Sequence, residues 1–219
     1  KVEYAFEDAL NPNLEQIIRL NPDLILWSGI SAHQVIQPIR RLGIPMVIFD
    51  PQNIEETYET IERVGVITNT QAKAEEIVGQ MKAKEAMIKE KVAALSPDQK
   101  PRVWIEVDGE LYTAGKGTFL NELLERAGGI NIVEAQGWVR FNSEQVIAKN
   151  PDVIFVTYGY YDKDAIAKVL NRPGWENVEA VKNKKVIELD NDILNRAGPR
   201  IIDGLEQMAK ALHPDLFEN

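Results

Sequence analysis

Two glutamates at matching places are the first residues of this chain whose type and spacing suggest chemistry. Glu15 and Glu144 each follow an asparagine by two positions, in Asn13-Leu14-Glu15-Gln16 and Asn142-Ser143-Glu144-Gln145. Asparagine favours the position just before a helix, so each acid falls in a first helical turn. There the helix dipole favours a carboxylate by ~0.3 to 1 kcal/mol, and on one reading this is all the pair does. On the other, one exposed carboxylate at the same place in two similar halves suits docking on a two-fold symmetric partner that carries basic pockets.

The second group is aromatic. Trp27, Ser28 and Gly29 follow one apolar run, and Tyr158, Gly159, Tyr160 and Tyr161 follow another. If these runs are parallel strands, their carboxyl ends are where ligands bind, because loop backbones and helix amino termini converge there. Tyr112 and Trp138 extend the aromatic set. Arg196, in the turn of residues 195–200, offers a fixed cation for an anionic ligand group. Aromatic walls with few charges suit a large, flat, partly apolar ligand better than a sugar or a bare ion. Trp27 has a competing reading as core, since it continues an apolar strand, and only one of Tyr160 and Tyr161 is expected to point inward. Trp104, inside a strand at 102–107, and Trp175, in a Pro-Gly-Trp loop, read as structural.

Several chemistries find no support. The chain has no cysteine, and its two histidines are His33 and His213, whereas capture of bare Zn or Mn needs several imidazoles beside carboxylates. No Gly-x-Ser-x-Gly elbow is present, and no carboxylate pair stands out as an acid/base couple. Residues 114–118, Ala-Gly-Lys-Gly-Thr, lie between a strand and a helix but depart from the nucleotide loop at Glu110 and Gly117, leaving at most a lone oxyanion on those amides. A formal charge of -9, with 34 acids against 25 bases, argues against nucleic acid. No apolar run approaches the roughly 20 residues that span a bilayer.

The elements that must position these residues come in two copies. Residues 13–28 laid over 142–157 match at Asn13, Glu15, Gln16, Ile18, Asn21, Pro22, Asp23 and Ile25 without a gap. Each copy reads as a helix started by asparagine and stopped by Asn-Pro, followed by an apolar strand of the kind that is covered on both faces. Apolar runs at 46–50 and 186–190 form a second matching pair, reached after an intervening helical stretch, which implies βαβ units and a parallel sheet. Between the copies, Thr70 is placed to cap a helix running to about Leu95, with Ile77, Met81, Ile88, Val92 and Leu95 along one stripe and Ser96-Pro97 as its stop. The expected architecture is α/β in two lobes with mainly parallel sheets flanked by helices. Residues 1–69 form the smaller lobe, 70–98 one long connecting helix and 99–219 the larger lobe.

These motifs carry a family likeness. Residues 13–17 and 21–25, Leu42-Gly43-Ile44-Pro45, Thr113-Ala114-Gly115, Ala127-Gly128-Gly129-Ile130-Asn131, Gly137-Trp138, Ser143-Glu144-Gln145, residues 150–154 and Arg196-Ala197-Gly198-Pro199-Arg200 occur in order. Together they resemble the substrate-binding proteins of iron-siderophore, haem and cobalamin ABC importers, the class III periplasmic binding proteins, over nearly the whole chain. The resemblance implies a non-enzymatic, extracytoplasmic protein, periplasmic or lipid-anchored on the outer face of the membrane. It implies no intrinsic cofactor, a metal chelate as ligand (ferric siderophore, cobalamin or haem), and delivery to a dimeric permease. By that pattern Glu15 and Glu144 match the acids that engage permease arginines, while Trp138, Arg196 and Tyr112 match ligand-contacting positions. Members usually carry a further strand and helix before the position of Lys1, so the smaller lobe is expected to lack them. A monomer is expected, with a dimer as the alternative if the uncovered sheet edge pairs. Haem would have to take a tyrosine as its axial ligand, which favours siderophore or corrinoid. An enzyme or metal-cofactor assembly protein on the same plan, and a lobe pair serving only as an interaction module, are the readings of other classes.

Overall fold

Both copies of the repeated segment fold by the same local rules. Residues 12–28 and 32–218 are described in this computed structural model, with backbone alone at 32–35, so Gly29 and the side chain of His33 lie outside the described residues. The compact units are Lys1–Pro51 and Gln52–Asn219.

In the first unit, α1 (Leu14–Leu20) starts at Asn13, whose Oδ1 accepts from the amides of Glu15 at 2.9 Å and Gln16 at 3.3 Å. It ends on Asn21, which turns the chain with a left-handed φ of 44°. Strand β1 (Ile25–Ser28), helix α2 (Ala32–Arg41) and strand β2 (Met46–Phe49) follow, and β1 pairs with β2 in parallel from Ile25 opposite Met46 to Ser28 opposite Phe49. Ile17 and Ile39 are buried, with Ile25, Trp27 and Met46 packed on them. Coverage of both faces, expected from the apolar run, is not met here: Leu26 alternates to the other side of the strand and is 42% exposed.

The second unit opens with α3 (Ile54–Ile67) and α4 (Gln71–Ala93). Asn53 caps α3 by accepting from the Glu56 amide at 2.8 Å. Thr70, expected to cap α4, makes no such bond; its backbone, at φ -127° and ψ 37°, lies outside the extended conformation usual for a cap. At 1.5 Å per residue α4 is ~35 Å long, and its buried stripe is Ala74, Val78, Met81, Ile88 and Val92. Ile54 and Tyr58 of α3 join that stripe in one core, which places α3 with α4 in the larger unit. The two helices approach so closely at Gly65 that a Cβ there would meet the Ala74 Cβ at 2.5 Å.

The remaining elements are β3 (Arg102–Glu106), β4 (Tyr112–Ala114), α5 (Phe119–Arg126), β5 (Ile130–Asn131), β6 (Trp138–Arg140), α6 (Ser143–Lys149), β7 (Val153–Val156), α7 (Ala165–Leu170), α8 (Glu179–Lys182), β8 (Val186–Glu188), α9 (Asn191–Leu194) and α10 (Ile201–Leu212). Strands run in the order β5-β3-β7-β8, all parallel. Val103, Ile105, Val153 and Phe155 face the core shared with α4, α5 and α10, while Trp104, Ile154 and Val156 face a second core holding Val146 of α6 and Trp175. Here the unbroken apolar strand is covered on both faces as its sequence implied. Trp104 and Trp175 are fully buried, in keeping with their structural reading. Helix α6 repeats the grammar of α1: Asn142 and Gln145 exchange side chain to amide bonds at 2.8 and 2.9 Å, and Asn150 ends the helix with φ 43°.

Candidate functional site

Parallel pairing of β3, β7 and β8 brings the loops after Glu106, Val156 and Glu188 to one end of the sheet of the second unit. After β7 the chain turns tightly, with the amides of Tyr161 and Asp162 both donating to the Tyr158 carbonyl at 3.2 Å. This turn lifts Tyr160 and Tyr161 into solvent, 63% and 57% exposed, their rings edge to face at 4.8 Å. Both are therefore exposed, where one was expected to point inward and the other to pack or face solvent.

Tyr158 goes the other way. It is 1% exposed, and its hydroxyl donates to Glu106 Oε1 at 2.7 Å, which makes it core and removes it from any open wall. Burial, reinforced by the Glu106 charge, pushes its phenol well above the ordinary tyrosine range, so it stays neutral. The strand-end rule locates a residue along the chain but does not give its side chain a direction.

Beside Tyr160 lies a cavity of about 430 Å³, lined also by Lys163, Glu188, Leu189, Asp190, Asn191, Asp192 and Gln207. Asp190 Oδ1 accepts from the Asp192 amide at 2.8 Å, and the Asp190 amide donates to Gln207 Oε1 at 3.2 Å, so the loop after β8 is held on α10. Arg196 reaches this rim, where its Nη2 pairs with Asp192 Oδ1 at 2.9 Å. The fixed cation foreseen at 196 is thus matched by a carboxylate, and the cavity lining is acidic where the sequence suggested few charges. Sequence reasoning passed over Glu188 and Asp190, although the rule that selected 158–161 applies equally to the end of β8. Gln207, on a helix distant in sequence, carried no signal.

Tyr112 and Trp138 are joined by a small antiparallel ribbon, β4 with β6, in which Tyr112 faces Arg140 and Ala114 faces Trp138. The alternation of strands puts Tyr112, Trp138 and Arg140 on one face of the ribbon. Trp138 is 56% exposed, and the Arg140 guanidinium lies 5.9 Å from the Tyr112 ring centre while pairing with Glu110 at 2.5 Å. The amide of Tyr112 donates to Asp108 Oδ1 at 3.1 Å, tying the ribbon to the loop after β3. Ser28 is exposed and Trp27 half-buried in the core of the first unit, in line with the competing reading for Trp27.

Glu15 and Glu144 are both exposed in the first turns of α1 and α6, and neither has an ion-pair partner among the described residues. No group of three or more metal-binding side chains occurs among the described residues.

A family model described as periplasmic binding protein matches residues 4–193. The chain belongs to the periplasmic binding protein family. Among curated relatives, this periplasmic binding protein is 38% identical over 216 residues to an uncharacterized ABC transporter substrate-binding lipoprotein, YvrC, of Bacillus subtilis, covering 95% of this chain and 68% of that one. It is 27% identical over 208 residues to the cobalamin-binding protein of Halobacterium salinarum, covering 92% of this chain and 56% of that protein's length. The solved structure of a possible iron-binding (periplasmic solute-binding) protein from Staphylococcus epidermidis is similar at a TM-score of 0.82 with 34% identity, over 94% of this chain and 82% of the other. The two-lobed α/β fold read from the repeats is the fold of these binding proteins.

Proposed function

We propose that this chain captures a metal chelate outside the cytoplasm and hands it to the permease of an ABC importer, without catalysing a reaction. The observation that carries the reading is family membership over residues 4–193, combined with an open cavity and exposed aromatic residues at the strand ends of the second unit. The chelate is cargo rather than a resident group. Glu188 and Asp190 against Lys163, with Asp192 already paired to Arg196, favour a cargo that presents hydrogen-bond donors, such as peripheral carboxamides, over an oxyanion or a ligand rimmed with carboxylates. Cobalamin therefore leads among the chelates, in keeping with the name of the halobacterial relative, and ferric siderophores come next. Glu15 and Glu144, exposed and without an ion-pair partner among the described residues, are the acids offered to the permease.

Tryptophan fluorescence tests the reading, since Trp104 and Trp175 are buried and Trp138 is the most exposed indole among the described residues. Titration of the full-length protein with cobalamin, ferric siderophores and haemin is expected to give a saturable change, strongest for cobalamin. No saturable response to any of the three would overturn the reading.

A further inference from the structure

The most deeply buried charge of the second unit serves neither the cavity nor the exposed acids directly. Glu106 is fully buried at the end of β3, and its carboxylate accepts four bonds: from Arg172 Nη1 at 2.7 Å and Nη2 at 2.8 Å, from the Tyr158 hydroxyl at 2.7 Å and from Trp104 Nε1 at 3.2 Å. Burial works against the charge on Arg172, and the bonds and charge of Glu106 more than offset it, so the guanidinium is held above its usual pKa. The same guanidinium lies 4.3 Å from the ring centre of Trp175. The buried Trp175 in turn donates its Nε1 hydrogen to Ser143 Oγ at 2.6 Å. Ser143 is the first residue of α6 and stands between the cap Asn142 and Glu144.

A helix of two turns is marginal alone and takes its position from what it packs on. Val146 and the partly buried Ile147 anchor the apolar side of α6 in the core, and Arg102 holds its far end by donating to the carbonyls of Lys149 and Asn150. The bond from Trp175 to Ser143 ties down the opposite end, the first turn from which Glu144 projects. Trp175 is packed in the second core with Arg172 over its ring, and a two-pronged ion pair locks Arg172 to the central sheet.

We propose that Arg172, clamped by Glu106 and stacked on Trp175, is a positioning residue that aims Glu144 through Ser143. This rests on the docking role of Glu144 given above.

The test uses the full-length, cobalamin-loaded protein and the permease complex of its own transport system in nanodiscs, with hydrogen exchange of the 143–149 amides measured in parallel. Ser143→Ala cuts the last bond and leaves Arg172, Trp175 and Glu144 in place. Arg172→Lys keeps the charge on Glu106 but loses the fork and the stacking plane. Each is expected to weaken permease binding roughly three- to tenfold, the scale of one lost hydrogen bond, and to speed exchange at the start of α6. In a Glu144→Gln background neither is expected to weaken binding further, and cobalamin affinity is expected to stay unchanged throughout. An equal loss in the Glu144→Gln background, or unaltered exchange and binding in both variants, overturns the positioning role. If Glu144→Gln alone leaves permease binding intact, the docking reading falls, and the exchange rates still decide whether Arg172 holds the start of α6.

Discussion

Gly159 lies against the carboxylate of Glu188 so closely that a Cβ at 159 would stand 1.9 Å from Oε1. The backbone after β7 thus forms the floor on which a cavity-lining acid rests, and no larger residue leaves that carboxylate where it is.

Gly159→Ala is expected to displace the Glu188 carboxylate rather than unfold the chain, since the clash falls on the far end of a flexible side chain. The stability loss should stay under about 1 kcal/mol, below the ~1 to 3 kcal/mol of overpacking with no such release. Cobalamin affinity should fall roughly tenfold, as one acceptor leaves the cavity wall. Isothermal titration beside thermal melts checks both, and a wild-type affinity in Gly159→Ala would remove Glu188 from the binding wall.

Arg172→Met is expected to cost about 3 to 5 kcal/mol in urea unfolding, because it strands the buried Glu106 carboxylate without its counter-charge. Adding Glu106→Leu should recover only part of that loss, since it removes the stranded charge but leaves the buried Tyr158 hydroxyl and Trp104 Nε1 without their acceptor. A double variant no more stable than Arg172→Met would show that the pair contributes chiefly through the shape of its packing.

Trp138→Ala should leave the unfolding midpoint nearly unchanged, because more than half of the indole is already in water. The same change should weaken cobalamin binding roughly tenfold, the worth of one aromatic stacking contact, and abolish most of the fluorescence response. Wild-type affinity in this variant would take the β4–β6 ribbon out of the ligand site.

His213 is buried, with Nε2 at 3.2 Å from the Gly128 carbonyl, and burial lowers its pKa below 6.5. A histidine with a depressed folded pKa binds its proton more readily when unfolded, so its stabilising contribution is full above about pH 6.5 and is lost as pH falls through the lower folded value. Unfolding free energies measured from pH 7.5 down to 5 should drop, and His213→Gln should flatten that drop. An unchanged slope in His213→Gln would assign the acid sensitivity to other groups.

The helix starts and stops of the repeat are legible in the sequence alone. Asn13 and Asn142 cap their helices, Asn21 and Asn150 end them in the left-handed conformation, and the two acids emerge in the first turns, because each of these events involves residues no more than four apart. Thr70 shows the limit even of local signals: a good capping residue stands at the start of α4 with a backbone conformation that makes no cap bond.

What the sequence determined by itself was the repeated helix and strand unit, the long helix, the family and the chain positions of the strand ends and first helical turns. Tertiary structure alone decided which side chains face outward there. Tyr158 turned into the core to satisfy Glu106, Arg196 was neutralised by Asp192, and Tyr112 came alongside Trp138 through a ribbon whose strands are far apart in sequence. The reason is physical: caps, turns and periodicity are settled by covalent neighbours, whereas a buried charge such as Glu106 must take its partner from wherever packing brings one, here Arg172, 66 residues further along the chain.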